Sequence, residues 1–241
     1  MVNFTVLFTA HLLGDFYLQT SKIAKCKNAN INTSCSGCTA CKKGSEFNLK
    51  YLFIHILLYI IPFAVLFFST DFLKALTAVI LIAVTHSVTD VLSCCLNKKF
   101  KHTAIFVTDQ FLHVIILSML CKYFYFSFPF EKYYTAIKVI FTVLLLTVPP
   151  SVFINKLFED LYHETNTGIF DTGSLIGILE RFLVVIFAYF ENFAAIAIII
   201  TVKTWARTND LKETNFRNKY LLGTLASLVS ALCAYILFKI I

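Results

Sequence analysis

The chain has 241 residues, 58% of them hydrophobic and 15% charged, with 26 Phe and a mean hydropathy of +0.76. That composition excludes a soluble globular domain, in which about a quarter of residues are charged. The formal net charge of +7 does not argue for nucleic acid, because the Lys and Arg residues gather in a few loops beside apolar runs, as the positive-inside rule requires.

Apolar runs of about 20 residues, the length that crosses a bilayer, recur along the whole chain. They are continuous rather than alternating, which argues against a β-barrel. The expectation is an all-α fold, a polytopic transmembrane helical bundle with spans at 3–20, 49–68, 72–93, 104–126, 133–153, 174–191, 192–207 and 219–240. Residues 1–130 form an N-terminal four-helix part with a Cys-rich loop at 21–48, and 131–241 hold the remaining membrane helices. No cleavable signal peptide is expected, since no basic region precedes the first apolar stretch and His11 and Asp15 interrupt it.

The first span carries His11-x-x-x-Asp15, with Gln19 one turn later. The loop that follows carries Lys22, Lys25, Lys27, Lys42 and Lys43 against Glu46, and also Cys26, Cys35, Cys38 and Cys41. Four thiolates this close suit a structural zinc, although the spacing matches no standard finger, and a loop with free thiols is the alternative. A cytoplasmic position would keep them reduced. His55 lies near the start of the second span, and the third ends in His86-x-x-x-Asp90. Lys98, Lys99 and Lys101 follow, and the fourth span begins with Asp109-x-x-x-His113, with Gln110 beside Asp109. Cys94, Cys95, Cys121 and Cys233 read as packing or membrane-edge residues.

In the second half, Pro149 and Pro150 end or kink the fifth span. The segment 154–173 reads as an interfacial helix followed by a loop, with Gly168 and Gly173 at turns. The sixth span carries Gly177-x-x-Glu180-Arg181, and Lys203 and Arg207 are four apart near the end of the seventh. Arg207, Lys212, Arg217 and Lys219 stand against Asp210 and Glu213 in the last loop. Gly223, Thr224, Ser227 and Ser230 make a small-residue packing face on the eighth.

With eight spans the three basic loops share one side, expected to be cytoplasmic, and the acidic segment 154–173 lands there too. The first four spans then place His11, Asp15, His55, His86, Asp90, Asp109 and His113 within about 15 Å of that boundary at the helical rise. Residues four apart share a helix face. Imidazole and carboxylate together suit a divalent metal, zinc foremost, with manganese or iron as alternatives. Intramembrane ionisable groups point to function by default. Glu180, Arg181, Lys203 and Arg207 suit an anionic ligand such as phosphate. Lys203 and Arg207 alternatively snorkel as membrane anchors.

The segments HLLGDFYLQT, THSVTD and FVTDQFLH, with His55, and further on GSLIGILERFLVV, VKTWAR and KYLLGTLASL, resemble the bacterial membrane family catalogued only as domain of unknown function 3307. The Cys-bearing loop 26–41 looks like an insertion relative to that pattern. The resemblance implies a bacterial or phage source and an inner-membrane location, and no activity. The His/Asp pattern is also similar to that of membrane-bound metal-dependent hydrolases.

The expected function is that of an integral membrane metal-dependent hydrolase acting on a lipid phosphoester or another anionic lipid-linked substrate. In that reading His11, Asp15, His55, His86, Asp90, Asp109 and His113 hold the metal. Asp109, with Asp15 and His113, carries the catalysis, Asp109 as general base. Membrane lipids are the expected partners. A metal-ion or proton transporter using the same cluster and a structural scaffold with a polar core are the rivals.

Overall fold

The computed structural model describes residues 2–20, 23, 49–69, 71–96, 100–163 and 172–241. The described elements are helical, and no strand occurs among the described residues. Cys26, Cys35, Cys38 and Cys41, with Lys98 and Lys99, lie outside them.

In chain order the helices are α1 (Val2–Leu12), α2 (Leu49–Ile60), α3 (Phe72–Leu96), α4 (His102–Phe124), α5 (Tyr134–Leu146), α6 (Val148–Tyr162), α7 (Thr172–Tyr189), α8 (Phe193–Ala206) and α9 (Thr214–Ile240). Six stretches among the described residues are long and apolar enough to cross a membrane: 50–68, 72–96, 102–124, 131–162, 172–189 and 214–240. The helix at 193–206 is apolar but shorter. Large apolar side chains point outward along these helices, with Phe53, Phe111 and Leu179 more than 60% exposed. Such a surface suits hydrocarbon, and helices satisfy their own backbone groups there.

Two departures from plain α-helix matter. The second span begins as α2 and continues as a 3₁₀ segment, Ile61–Phe68. Pro62 sits in its first turn, where the missing N–H removes an α-helical bond. In the fifth span Pro149 and Pro150 open α6 immediately after α5 ends. The segment expected to begin an interfacial helix at 154 is the continuation of α6.

The chain divides into two compact units, Met1–Ile137 and Lys138–Ile241. In the first, α1 packs on α4, α2 on α3 and α3 on α4. Leu7, Ala10, Tyr59, Phe63, Ala75, Ala78, Ile82 and Leu117 form its core. The chain after α4 is pinned by Ser127, whose N–H donates to Ser69 O at 3.2 Å, and by Asn3, whose side-chain amide donates to Phe126 O. In the second unit α9 packs on α6 and α7, and α7 on α8. Its core holds Leu146, Val184, Ala188, Ile196, Ala231, Ala234 and Tyr235.

Candidate functional site

The first helix widens at its end. Leu13–Tyr17 is a π turn, with Leu18 N–H donating to Leu13 O at 2.9 Å. Single π turns inside helices are frequent at functional sites. Gly14 lies inside it because nothing larger fits: a Cβ there would stand 2.7 Å from Tyr59 O. That close approach seats the π turn on α2 and sets the position of Asp15.

Asp15, His55 and His86 each offer a ligand atom, and these atoms lie within 4.8 Å of one another. His55 Nε2 is 2.9 Å from His86 Nε2, 3.6 Å from Asp15 Oδ1 and 3.3 Å from Asp90 Oδ2. His86 Nε2 is 3.6 Å from Asp90 Oδ2. Ligands at about 2.0–2.2 Å around a tetrahedral zinc stand roughly 3.3–3.6 Å apart. Asp15, His55 and His86 therefore have the chemistry of a divalent-metal shell, and Asp90 Oδ2 stands beside the two imidazoles. Both histidines are fully buried, and His55 Nδ1 is a buried ring nitrogen with no hydrogen-bond partner.

The surrounding bonds fix which lone pairs face this point. His113 Nδ1 lies 2.7 Å from Asp109 O; a carbonyl only accepts, so this nitrogen carries the proton. Neutral His113 then accepts at Nε2, and His86 Nδ1, 2.6 Å away, donates to it. This leaves His86 Nε2 unprotonated, accepting from His55 Nε2 at 2.9 Å. The Tyr59 ring stacks on His86, with centroids 3.5 Å apart and planes 4° from parallel.

The same logic places His11 outside the shell. Gln110 Nε2 donates to Asp15 Oδ2 at 3.0 Å and to Asp109 Oδ2 at 3.2 Å. Its Oε1 therefore accepts from His11 Nε2 at 3.3 Å. His11 Nδ1 is left to accept from the Tyr59 hydroxyl at 3.0 Å. Both ring nitrogens of His11 thus serve neighbours rather than the central point. Asp109 accepts from Ser93 Oγ at 2.7 Å as well as from Gln110. Its carboxylate anchors the network and lies beyond the four central atoms.

All seven His and Asp residues expected to meet are thus in one connected cluster. Asp15, His55 and His86 lie closest together, Asp90 sits beside the two imidazoles, and His11, Asp109 and His113 stand behind them. Sequence reasoning missed Tyr59 and Ser93. Tyr59 lies four residues after His55, and Ser93 seven after His86, so helical spacing put both on the marked faces.

The second set behaves differently. Arg181 is buried, and its Nε donates to Leu146 O at 2.6 Å. Its Nη1 donates to Ser227 Oγ at 3.3 Å, and Nη2 to Thr147 O at 3.1 Å and Ser151 Oγ at 3.0 Å. These bonds tie Arg181 to the α5–α6 break and to Ser227 on α9. Glu180 and Lys203 form an ion pair at 2.6 Å. Arg207 lies over the Phe216 ring, 5.8 Å from its centroid.

One family model, described as "Protein of unknown function (DUF3307)", matches residues 3–141. The matched range holds all seven clustered His and Asp residues. GSLIGILERFLVV, VKTWAR and KYLLGTLASL, which also carried the resemblance, lie beyond it. No curated protein matches, and no solved structure matches.

Proposed function

The chain belongs to the family described as a protein of unknown function, DUF3307, whose description carries no activity, and we propose that it is an integral membrane metal-dependent hydrolase. One observation carries this reading: ligand atoms of Asp15, His55 and His86 lie within 4.8 Å of one another among apolar helices, with Asp90 Oδ2 at 3.3 and 3.6 Å from the two imidazoles. Without a cation, His55 Nε2 carries a proton and donates to His86 Nε2; a divalent cation would replace that proton among the two imidazoles and the carboxylates.

Asp15, His55 and His86 hold the cation in this proposal, zinc foremost, with manganese or iron as alternatives. A divalent cation there supplies Lewis acidity for activating water and polarising an ester. Asp90, beside both imidazoles, accepts the proton that water gives up as it attacks. His113 and Asp109 keep His86 in its Nδ1–H tautomer, as partners behind a ligand imidazole do. Gln110, held by His11, aims Asp15. A site inside membrane-length helices favours a lipid-linked substrate, a phosphoester being the class proposed. The bacterial inner membrane, with the basic loops cytoplasmic, is the proposed location.

Elemental analysis of the detergent-purified protein tests this. Wild type should carry a stoichiometric divalent metal, His86→Ala and His55→Ala should lose it, and Lys203→Ala should keep it. Wild type that neither retains nor rebinds metal eliminates the hydrolase and leaves a polar packing core. A second reading has a specific support: His55, His86 and His113 touch in sequence at 2.9 Å and 2.6 Å, as a proton or metal-ion path would. Proton or zinc flux into liposomes holding the protein, lost in His113→Phe, would favour transport over hydrolysis.

A further inference from the structure

Tyr59 stands one helical turn after His55 on α2 and is 1% exposed. The three heavy atoms nearest a Cβ built on Gly14 are all its own: O at 2.7 Å, Cδ2 at 2.8 Å and Cα at 3.0 Å. The π turn that carries Asp15 therefore closes on the backbone and ring edge of this one residue. The Tyr59 hydroxyl also begins a line of hydrogen bonds with fixed directions. It donates to His11 Nδ1 at 3.0 Å, His11 Nε2 donates to Gln110 Oε1 at 3.3 Å, and Gln110 Nε2 donates to Asp15 Oδ2 at 3.0 Å. Residues of α2, α1, α4 and the π turn are joined in that line, and the direction of each bond follows from the donors and acceptors its neighbour has left.

The ring of Tyr59 makes a second, separate contact. It lies on His86 with centroids 3.5 Å apart and planes 4° from parallel. Aromatic pairs favour offset or edge-to-face arrangements, at about 4.5–7 Å between centroids, over such a sandwich. The neighbouring pairs obey that preference: Tyr59 meets His11 edge-on at 5.8 Å and Phe63 at 5.2 Å with the planes tilted by 49°. An imidazole that has given its lone pair to a cation is electron-poor, and positive charge over a phenol face is attracted to it. The stack on His86 thus suits the cation-bound form of that imidazole.

We propose that Tyr59 is a positioning residue of the candidate metal centre: its ring holds the plane of His86, and its hydroxyl, through His11 and Gln110, sets the direction of Asp15. This role rests on the divalent-metal reading of the cluster. It gives one buried side chain control of two ligands that come from different segments. His11 then serves as the spacer between Tyr59 and Gln110, which accounts for a buried imidazole engaged at both nitrogens. Tyr59 acts through these neighbours and touches no reacting atom.

The full-length protein in detergent is stripped with a chelator and titrated with cobalt(II), reading affinity and the visible d–d spectrum at saturation. That spectrum reports ligand geometry in loaded protein, so lower stability does not imitate a displaced ligand. Tyr59→Phe keeps the stack and loses the hydroxyl; it should weaken cobalt binding about tenfold and shift the spectrum. Tyr59→Leu loses both contacts and should weaken binding further, toward about 100-fold. His11→Phe breaks the same line one link on and should match Tyr59→Phe, rather than abolish binding as removal of a ligand would. Tyr59→Phe added to Gln110→Leu should weaken binding no more than Gln110→Leu alone, within about twofold, because both act on Asp15 through one line. Phe63→Leu alters an apolar neighbour in the same core and should lower the unfolding midpoint while leaving affinity and spectrum as in wild type. A wild-type affinity and spectrum in Tyr59→Phe or in His11→Phe overturns the proposal. Full additivity with Gln110→Leu, or a Phe63→Leu spectrum displaced as far as that of Tyr59→Phe, overturns it as well. Wild type that takes up no cobalt defeats the metal reading itself, and this role falls with it.

Discussion

His86 shows how much is decided by which ring nitrogen holds a proton. Its i, i+4 spacing to Asp90 is readable in the sequence and marks a shared face. The spacing does not say which of four histidines points a lone pair inward. That follows from bonds to groups distant in sequence: the Asp109 carbonyl for His113, and Gln110 for His11, 99 residues away. Seven equivalent candidates therefore resolve into four central groups and three supporting ones. Gln110 is the sharpest test at this scale, because it touches two carboxylates and one imidazole and is itself no ligand of zinc. Gln110→Leu should leave the fold intact and release Asp15 Oδ2, Asp109 and His11 at once. Loss of such a supporting partner weakens metal affinity about 10–100-fold. Competition with a chromogenic chelator measures this, and an affinity unchanged within about twofold would show that Asp15 needs no such orientation.

Between α5 and α6 the sequence announces a break but hides its repair. Pro149 and Pro150 are legible as helix interrupters. Pro150 has no N–H for Leu146 O, the bond an unbroken helix would make. Arg181, 35 residues on, supplies that donor through Nε, and its Nη2 serves Thr147 O and Ser151 Oγ. A buried Arg near a cationic cluster reads from sequence as a ligand contact, because only the three-dimensional path of α7 brings it to the proline break. Arg181→Met should strand the buried Leu146 carbonyl, at about 1–3 kcal/mol, and lower the thermal unfolding midpoint in detergent. Arg181→Lys should not rescue it, since an ammonium cannot span three acceptors as a planar guanidinium does. A midpoint equal to wild type in Arg181→Met would return this residue to the ligand-binding set.

Across the molecule, hydropathy and length made the helical membrane character legible, because a run of apolar residues reports its solvent directly. The short α8 was legible, its span read as 192–207 against Phe193–Ala206, whereas the π turn and the 3₁₀ segment were not, because they depend on packing rather than average polarity. Within the first unit the antiparallel pair α3 and α4 places the cluster toward one end. His86 and Asp90 fall in the C-terminal half of α3, and Asp109 and His113 in the N-terminal half of α4. Lys101 stands at that same end, just before α4. In the proposed orientation this end faces the cytoplasm, and a lipid substrate of the proposed hydrolase would enter from the inner leaflet. Cys95 is exposed near the end of α3 and marks this side. A variant with Cys95 as its sole cysteine should react with a membrane-impermeant maleimide in inverted vesicles and stay unlabelled in intact cells. Labelling from the outside would reverse the orientation of the first unit. The proposed metal site would then face the opposite leaflet, and Lys101 would stand against the charge rule rather than with it.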